Sequence, residues 1–165
     1  MWKSLCGGAI AAALIGTLVP ATTAASAATG CWQYKPTERR FARSLNRARA
    51  RQGVPKLHLD PQLSKVARRH SWEMRGKGDL YHTPLKVLGR RITRWRVLAE
   101  NIGVGSSVRS LHRAFMRSTF HRANILLAGF RHVGVGVERR NGKMWVTVVF
   151  EAASDPGTRL PMPSC

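Results

Sequence analysis

The hydrophobic period of this chain changes once along its length, and that change sets its fold class. Val133, Val135 and Val137 alternate with small or polar residues. After Asn141-Gly142, Val146, Val148 and Phe150 share one face of a return strand, and Trp145, Thr147 and Val149 share the other. A period of two on both sides of Asn-Gly predicts an antiparallel hairpin. The wholly apolar set Val146, Val148 and Phe150 is the expected core face. Upstream the period is helical. Phe41, Leu45 and Ala48 line one face after the potential cap Thr37 and before Gly53. Asp60-Pro61 opens a second helix, with Leu63, Val66, Ala67, His70 and Met74 as its stripe and Gly76 and Gly78 as its end. Ser106 or Ser107 opens a third, which buries Val108, Leu111, His112, Phe115 and Met116 and turns Arg109, Arg113 and Arg117 to water. A short helix from Phe120 to about Leu126 follows. Residues 79–96 read mostly as loop, with one helical turn at Leu85 to Arg91.

A chain of 165 residues with 44% hydrophobic side chains has the means to build one core, and no repeat or second domain is apparent. The continuous apolar run Leu5 to Val19 is shorter than the roughly 20 residues that span a bilayer. Preceded by Lys3 and followed by Pro20 and Ala25-Ser26-Ala27, it has the layout of a signal peptide over residues 1–27, the alternative being an uncleaved anchor. A lead at 28–36, a folded domain at 37–151 and a tail at 152–165 complete the division. Cys6 would leave with the signal peptide. Cys31 and Cys165 would then pair in an oxidising compartment, where the long closed loop stabilises by about 5 kcal/mol on the chain-entropy account. The rival, lipidation of Cys31, sits far beyond the apolar run and would strand Cys165.

Standard catalytic patterns are absent: no H-E-x-x-H, no paired C-x-x-C, no G-x-S-x-G and no Walker loop occurs. Gly134 and Gly136 lie inside a predicted strand, where glycine permits close packing more often than it binds phosphate. Three residues have suggestive settings: His82 in Tyr81-His82-Thr83-Pro84, Glu100 in Ala99-Glu100-Asn101-Ile102, and His121 at the start of His121-Arg122-Ala123-Asn124. A carboxylate between two imidazoles can fix their tautomers, and two neutral imidazoles can hold a divalent cation such as zinc. His70 and His112 lie on apolar faces and read as core or cleft-edge residues. His58 and His132 read as solvent-facing, and Asn101 and Asn124 as loop fasteners.

The order of these segments resembles a known family. Leu57 to Met74, His82-Thr83, Ala99 to Gly103, Phe115 to Leu126, Gly129 to Gly136 and Trp145 to Phe150 together resemble the CAP superfamily, the SCP or pathogenesis-related-1-like group, and its secreted bacterial branch most closely. The resemblance runs from about residue 40 to 150. It implies an α+β fold, a three-layer α-β-α sandwich with a small antiparallel sheet, and a surface cleft with two His and two Glu. His82 and His121 match the two histidines and Glu100 one glutamate. Ser118 stands where many eukaryotic relatives carry the second glutamate, so three of four potential ligands remain.

Three functions follow as expectations. The first is an extracellular binding module for a small apolar, lipid-like ligand or a divalent cation, since relatives include sterol and fatty-acid binders. The second is metal-assisted hydrolysis of peptide or envelope polymers, with zinc or another divalent cation on His82, His121 and Glu100. The third rests on charge: 28 Lys and Arg against 8 Asp and Glu give +20, and Arg39, Arg40, Arg43, Arg47, Arg49 and Arg51 line the first helix. Those arginines suit acidic envelope polymers. Nucleic acid is not an expected partner, because export is predicted and no nucleic-acid-binding motif is present. A monomer without a transmembrane anchor is expected.

Overall fold

A computed structural model describes residues 31–153. The predicted signal peptide, most of the tail and Cys165, the expected partner of Cys31, lie outside the described residues. Along the chain run α1 (Pro36–Ala50), β1 (His58–Leu59), α2 (Pro61–Lys77), α3 (Leu85–Arg91), β2 (Trp95–Gly105), α4 (Val108–Arg117), α5 (Thr119–Leu126), β3 (His132–Arg140) and β4 (Lys143–Ala153). The order of strands in the sheet is β1-β3-β4-β2. The three long strands are antiparallel, and the two-residue β1 adds a parallel edge to β3.

Local chemistry explains the boundaries. Helix α1 starts one turn-position earlier than Thr37 suggests: Pro36 presets the first helical φ, and the Glu38 carboxylate accepts the Lys35 backbone N–H at 2.8 Å. Asp60 caps α2 by accepting the Leu63 N–H at 2.9 Å, and Gly78 ends it in the left-handed region at φ 73°. Between β3 and β4, Asn141 and Gly142 have φ of 49° and 69°, the doubly positive pair that a tight hairpin requires.

The sheet is buried on both faces, which makes the molecule three-layered. On one side Val133, Val135, Val137, Val146, Val148 and Phe150 pack under α1, α4 and α5, whose contributions include Phe41, Leu45, Leu111, Phe115 and Ile125. On the other, Val149 meets Leu63, Val66 and Ala67 of α2, Leu88 of α3 and Ile92 just after it, and Trp145 meets Met74. The hairpin therefore has two core faces where alternation alone favoured one. The closest approach is at β3. A β-carbon on Gly134 would lie 2.1 Å from the Leu63 carbonyl carbon, and one on Gly136 would lie 2.2 Å from that of Ala67. These glycines let α2 rest directly on the strand.

The structure departs from expectation in three places. Residues Trp95–Gly105 form β2, which begins on the last two residues of the expected loop and was not anticipated; it is an edge strand whose first half is exposed, Trp95 and Val97 included, so no alternation marked it. His132 is buried, not solvent-facing, and sits with its Nδ1 3.5 Å from Glu151 Oε2. Arg49 is fully buried and cannot belong to a polymer-binding face. Its guanidinium donates to the carbonyls of Pro55 (2.6 Å), Ile125 (2.8 Å), Leu127 (2.9 Å) and Phe130 (3.0 Å), tying α1 to the segment after α5. Burial, reinforced by the Arg131 charge, lowers its pKa to about 10, which still leaves it cationic at neutral pH.

Candidate functional site

His82 lies on the loop between α2 and α3, and that loop is fastened from beneath. The buried His70 ring donates from Nε2 to the Tyr81 carbonyl at 2.7 Å, so its tautomer is set by an acceptor that cannot donate. The Tyr81 ring stands edge-on to His70 with centroids 5.0 Å apart, and the Lys77 ammonium sits 4.5 Å from the Tyr81 centroid. His70 is thus the satisfied core histidine that its apolar stripe suggested, and it positions the residue next to His82.

Glu100 comes from the middle of β2. One carboxylate oxygen, Oε1, accepts the Thr83 backbone N–H at 2.9 Å and lies 2.9 Å from His82 Nδ1. With the carboxylate as acceptor, His82 donates from Nδ1, and its ring is 59% exposed. The other oxygen, Oε2, is sealed from solvent and has no hydrogen-bond partner among the described residues. A buried carboxylate oxygen without a donor is costly.

His121 reaches the same place from the other side of the edge strand. Glu100 is paired with Val149 and Asn101 with Val148, so their side chains leave β2 on opposite faces. Asn101 is fully buried; its Nδ2 donates to the His121 carbonyl at 3.0 Å, and Asn124 Nδ2 donates to Asn101 Oδ1 at 2.9 Å. The two amides fasten α5 to β2, where the sequence suggested that they fasten loops. The His121 ring tilts against Phe115 with centroids 4.8 Å apart. Burial lowers its pKa and the nearby His82 lowers it further, so it is neutral at pH 7. Ser118 Oγ accepts the His121 N–H at 3.5 Å as the cap of α5, so this position supplies a helix cap and not a second carboxylate.

The structure therefore joins His82 to Glu100 and brings His121 within electrostatic reach of His82. The donors do not fit a metal centre of three protein ligands: among the described residues, no three His, Cys, Asp or Glu are placed to hold one ion. Two contributors had no signal in the sequence. The Thr83 backbone N–H is invisible to side-chain reading, and the role of Phe115 as a platform for His121 is hidden in an ordinary apolar stripe.

The sequence model of the cysteine-rich secretory protein family, CAP, matches residues 42–150. The chain is 30% identical over 131 residues to the uncharacterized protein YkwD of Bacillus subtilis (strain 168), covering 75% of this chain and 49% of YkwD. It spans about half the length of that relative. Among solved structures, an extracellular protein containing an SCP domain from Bacillus anthracis is similar with a TM-score of 0.62 at 27% identity, over 70% of this chain and 40% of that one. An outer surface protein of Borrelia burgdorferi shares the fold with a TM-score of 0.65 at 15% identity, over 70% of this chain and 92% of that one. No described helix is long and apolar enough to cross a membrane.

Proposed function

The chain belongs to the cysteine-rich secretory protein family, CAP, and from that premise we propose that it is an exported binding module whose cleft takes a small, lipid-like ligand carrying a hydrogen-bond donor. The observation that carries this reading is Glu100 Oε2, buried and without a partner while Oε1 is doubly engaged. A ligand hydroxyl that displaced the side chains covering Oε2 would donate to it, and the exposed His82 ring would stand at the rim of the opened site. Apolar surface adjoins in the chain: Phe120, immediately before His121, is 85% exposed. Such a combination of a few aimed polar groups with apolar surface suits an amphiphile better than a sugar or a peptide.

Hydrolysis has weaker support. A carboxylate pair for general acid and base work is missing because Ser118 caps α5, and His121 does not complete a three-donor set with His82 and Glu100. The Cys31–Cys165 bridge and export by cleavage near Ala27 belong to the same proposal, in keeping with the extracellular description of the Bacillus anthracis structure.

Calorimetric titration of the full chain with a panel of sterols, fatty alcohols and zinc tests the reading, alongside Glu100→Gln and His82→Ala. The expected result is saturable binding of a hydroxyl-bearing amphiphile that both substitutions weaken. Binding of zinc alone, lost in His82→Ala and His121→Ala together, would overturn the amphiphile in favour of a cation.

A further inference from the structure

The stripe of α1 opposite its core face meets a stripe of α4 across a concave surface. Arg40, Arg47 and the C-cap Arg51 follow each other at i+7 and i+4 along α1, and Arg109 and Arg113 at i+4 along α4 with His112 flanking them, so the arginines of each helix share one side of it. Together they line a cavity of about 390 Å³. No Asp or Glu among the described residues lines it. The carboxylates that pair with Lys or Arg elsewhere are taken up by Lys35, Arg68, Arg69 and Arg91. None of the five cavity arginines has an ion-pair partner among the described residues.

Five exposed arginines line this one recess, together with the half-buried His112. Five cationic side chains around a recess with no carboxylate among its lining residues set up a positive local potential that favours an anion there. Guanidinium forks present paired N–H donors that match phosphate oxygens two at a time. We propose that this recess between α1 and α4 is a binding site for an anion carrying two or more phosphate groups. It shares no lining residue with the His82–Glu100 pair, and it confines the general basic surface to a particular set of side chains.

The probe is inorganic tripolyphosphate, titrated calorimetrically into the full chain, the Arg47→Gln/Arg51→Gln/Arg113→Gln variant, and an equal-charge control, Arg90→Gln/Arg96→Gln/Arg139→Gln. The control removes exposed arginines outside the recess. The expected result is saturable binding, weakened about tenfold or more in the first variant and less than about twofold in the control. NMR on the unsubstituted protein gives a second readout that does not depend on a variant folding: the His112 ring and the amides facing the recess should shift while the His82 ring stays still. Retention on vesicles with phosphomonoester headgroups, and not on phosphatidylcholine alone, would assign the phosphates to a lipid; tripolyphosphate binding without retention would assign them to a free ligand. Equal weakening in both variants, equal binding of citrate, or no saturable binding to either phosphate probe would overturn the site.

Discussion

At the scale of single residues, two buried charged groups do opposite things. Arg49 directs four of its five side-chain N–H donors at backbone carbonyls, so it acts as a structural clamp. Truncating it would orphan the two buried acceptors of Ile125 and Phe130, each worth about 1–3 kcal/mol when left unpaired, and release the part-buried ones of Pro55 and Leu127 to water. Arg49→Met should therefore lower stability by at least about 3 kcal/mol in chemical denaturation. Arg49→Lys should rescue only part of this, because a single ammonium cannot reach the same carbonyls as a planar fork. Glu100, by contrast, keeps one oxygen unpaired, which suits binding more than stability. Glu100→Ala should free the Thr83 amide, and its hydrogen exchange should speed up about tenfold or more, as expected for loss of a bond to a charged acceptor. The sequence made Glu100 and the two histidines conspicuous through their settings. It hid Arg49 among six helix-one arginines, although its place just after Ala48 put it beside the stripe of Phe41 and Leu45.

Among the elements, the contact of α2 with β3 is the tightest joint. Gly134→Ala and Gly136→Ala would each drive a β-carbon into helix backbone that cannot move alone, and each should cost about 3 kcal/mol or more. Gly129→Ala meets no atom within 4 Å and should leave the thermal midpoint unchanged, which controls for glycine chemistry as such. The helices and the hairpin were legible because strong caps, stripes and Asn-Gly announce them. Strand β2 was not, since an edge strand with an exposed first half loses the alternation that marks burial. Strand β1 is two residues long and exists only by pairing with β3, so it has no pattern of its own.

For the whole molecule, the three layers set how stability responds to pH. Burial, followed by the charges of Arg47 and Arg51, lowers the pKa of His112 from its ordinary value of 6.5; burial and then His82 do the same for His121. The unfolded chain takes up these protons first as pH falls, so the contribution present above about pH 6.5 is lost progressively below it, until the folded values are reached. Urea midpoints should fall between about pH 7 and pH 5, with a shallower slope in a His112→Gln/His121→Gln double variant. An unchanged slope would mean that neither imidazole is held neutral by the fold.

The cleft is the centre of the account, and NMR of the full chain during ligand titration tests it most directly. The signals to follow are the Thr83 amide and the imidazole nitrogens of His82 and His121, as hydroxyl-bearing amphiphiles are added. The expected result is a His82 proton on Nδ1 in the free protein, and saturable shifts at all three residues that vanish in Glu100→Gln. A ligand that binds while these three signals stand still, or that moves them equally in Glu100→Gln, would contradict it.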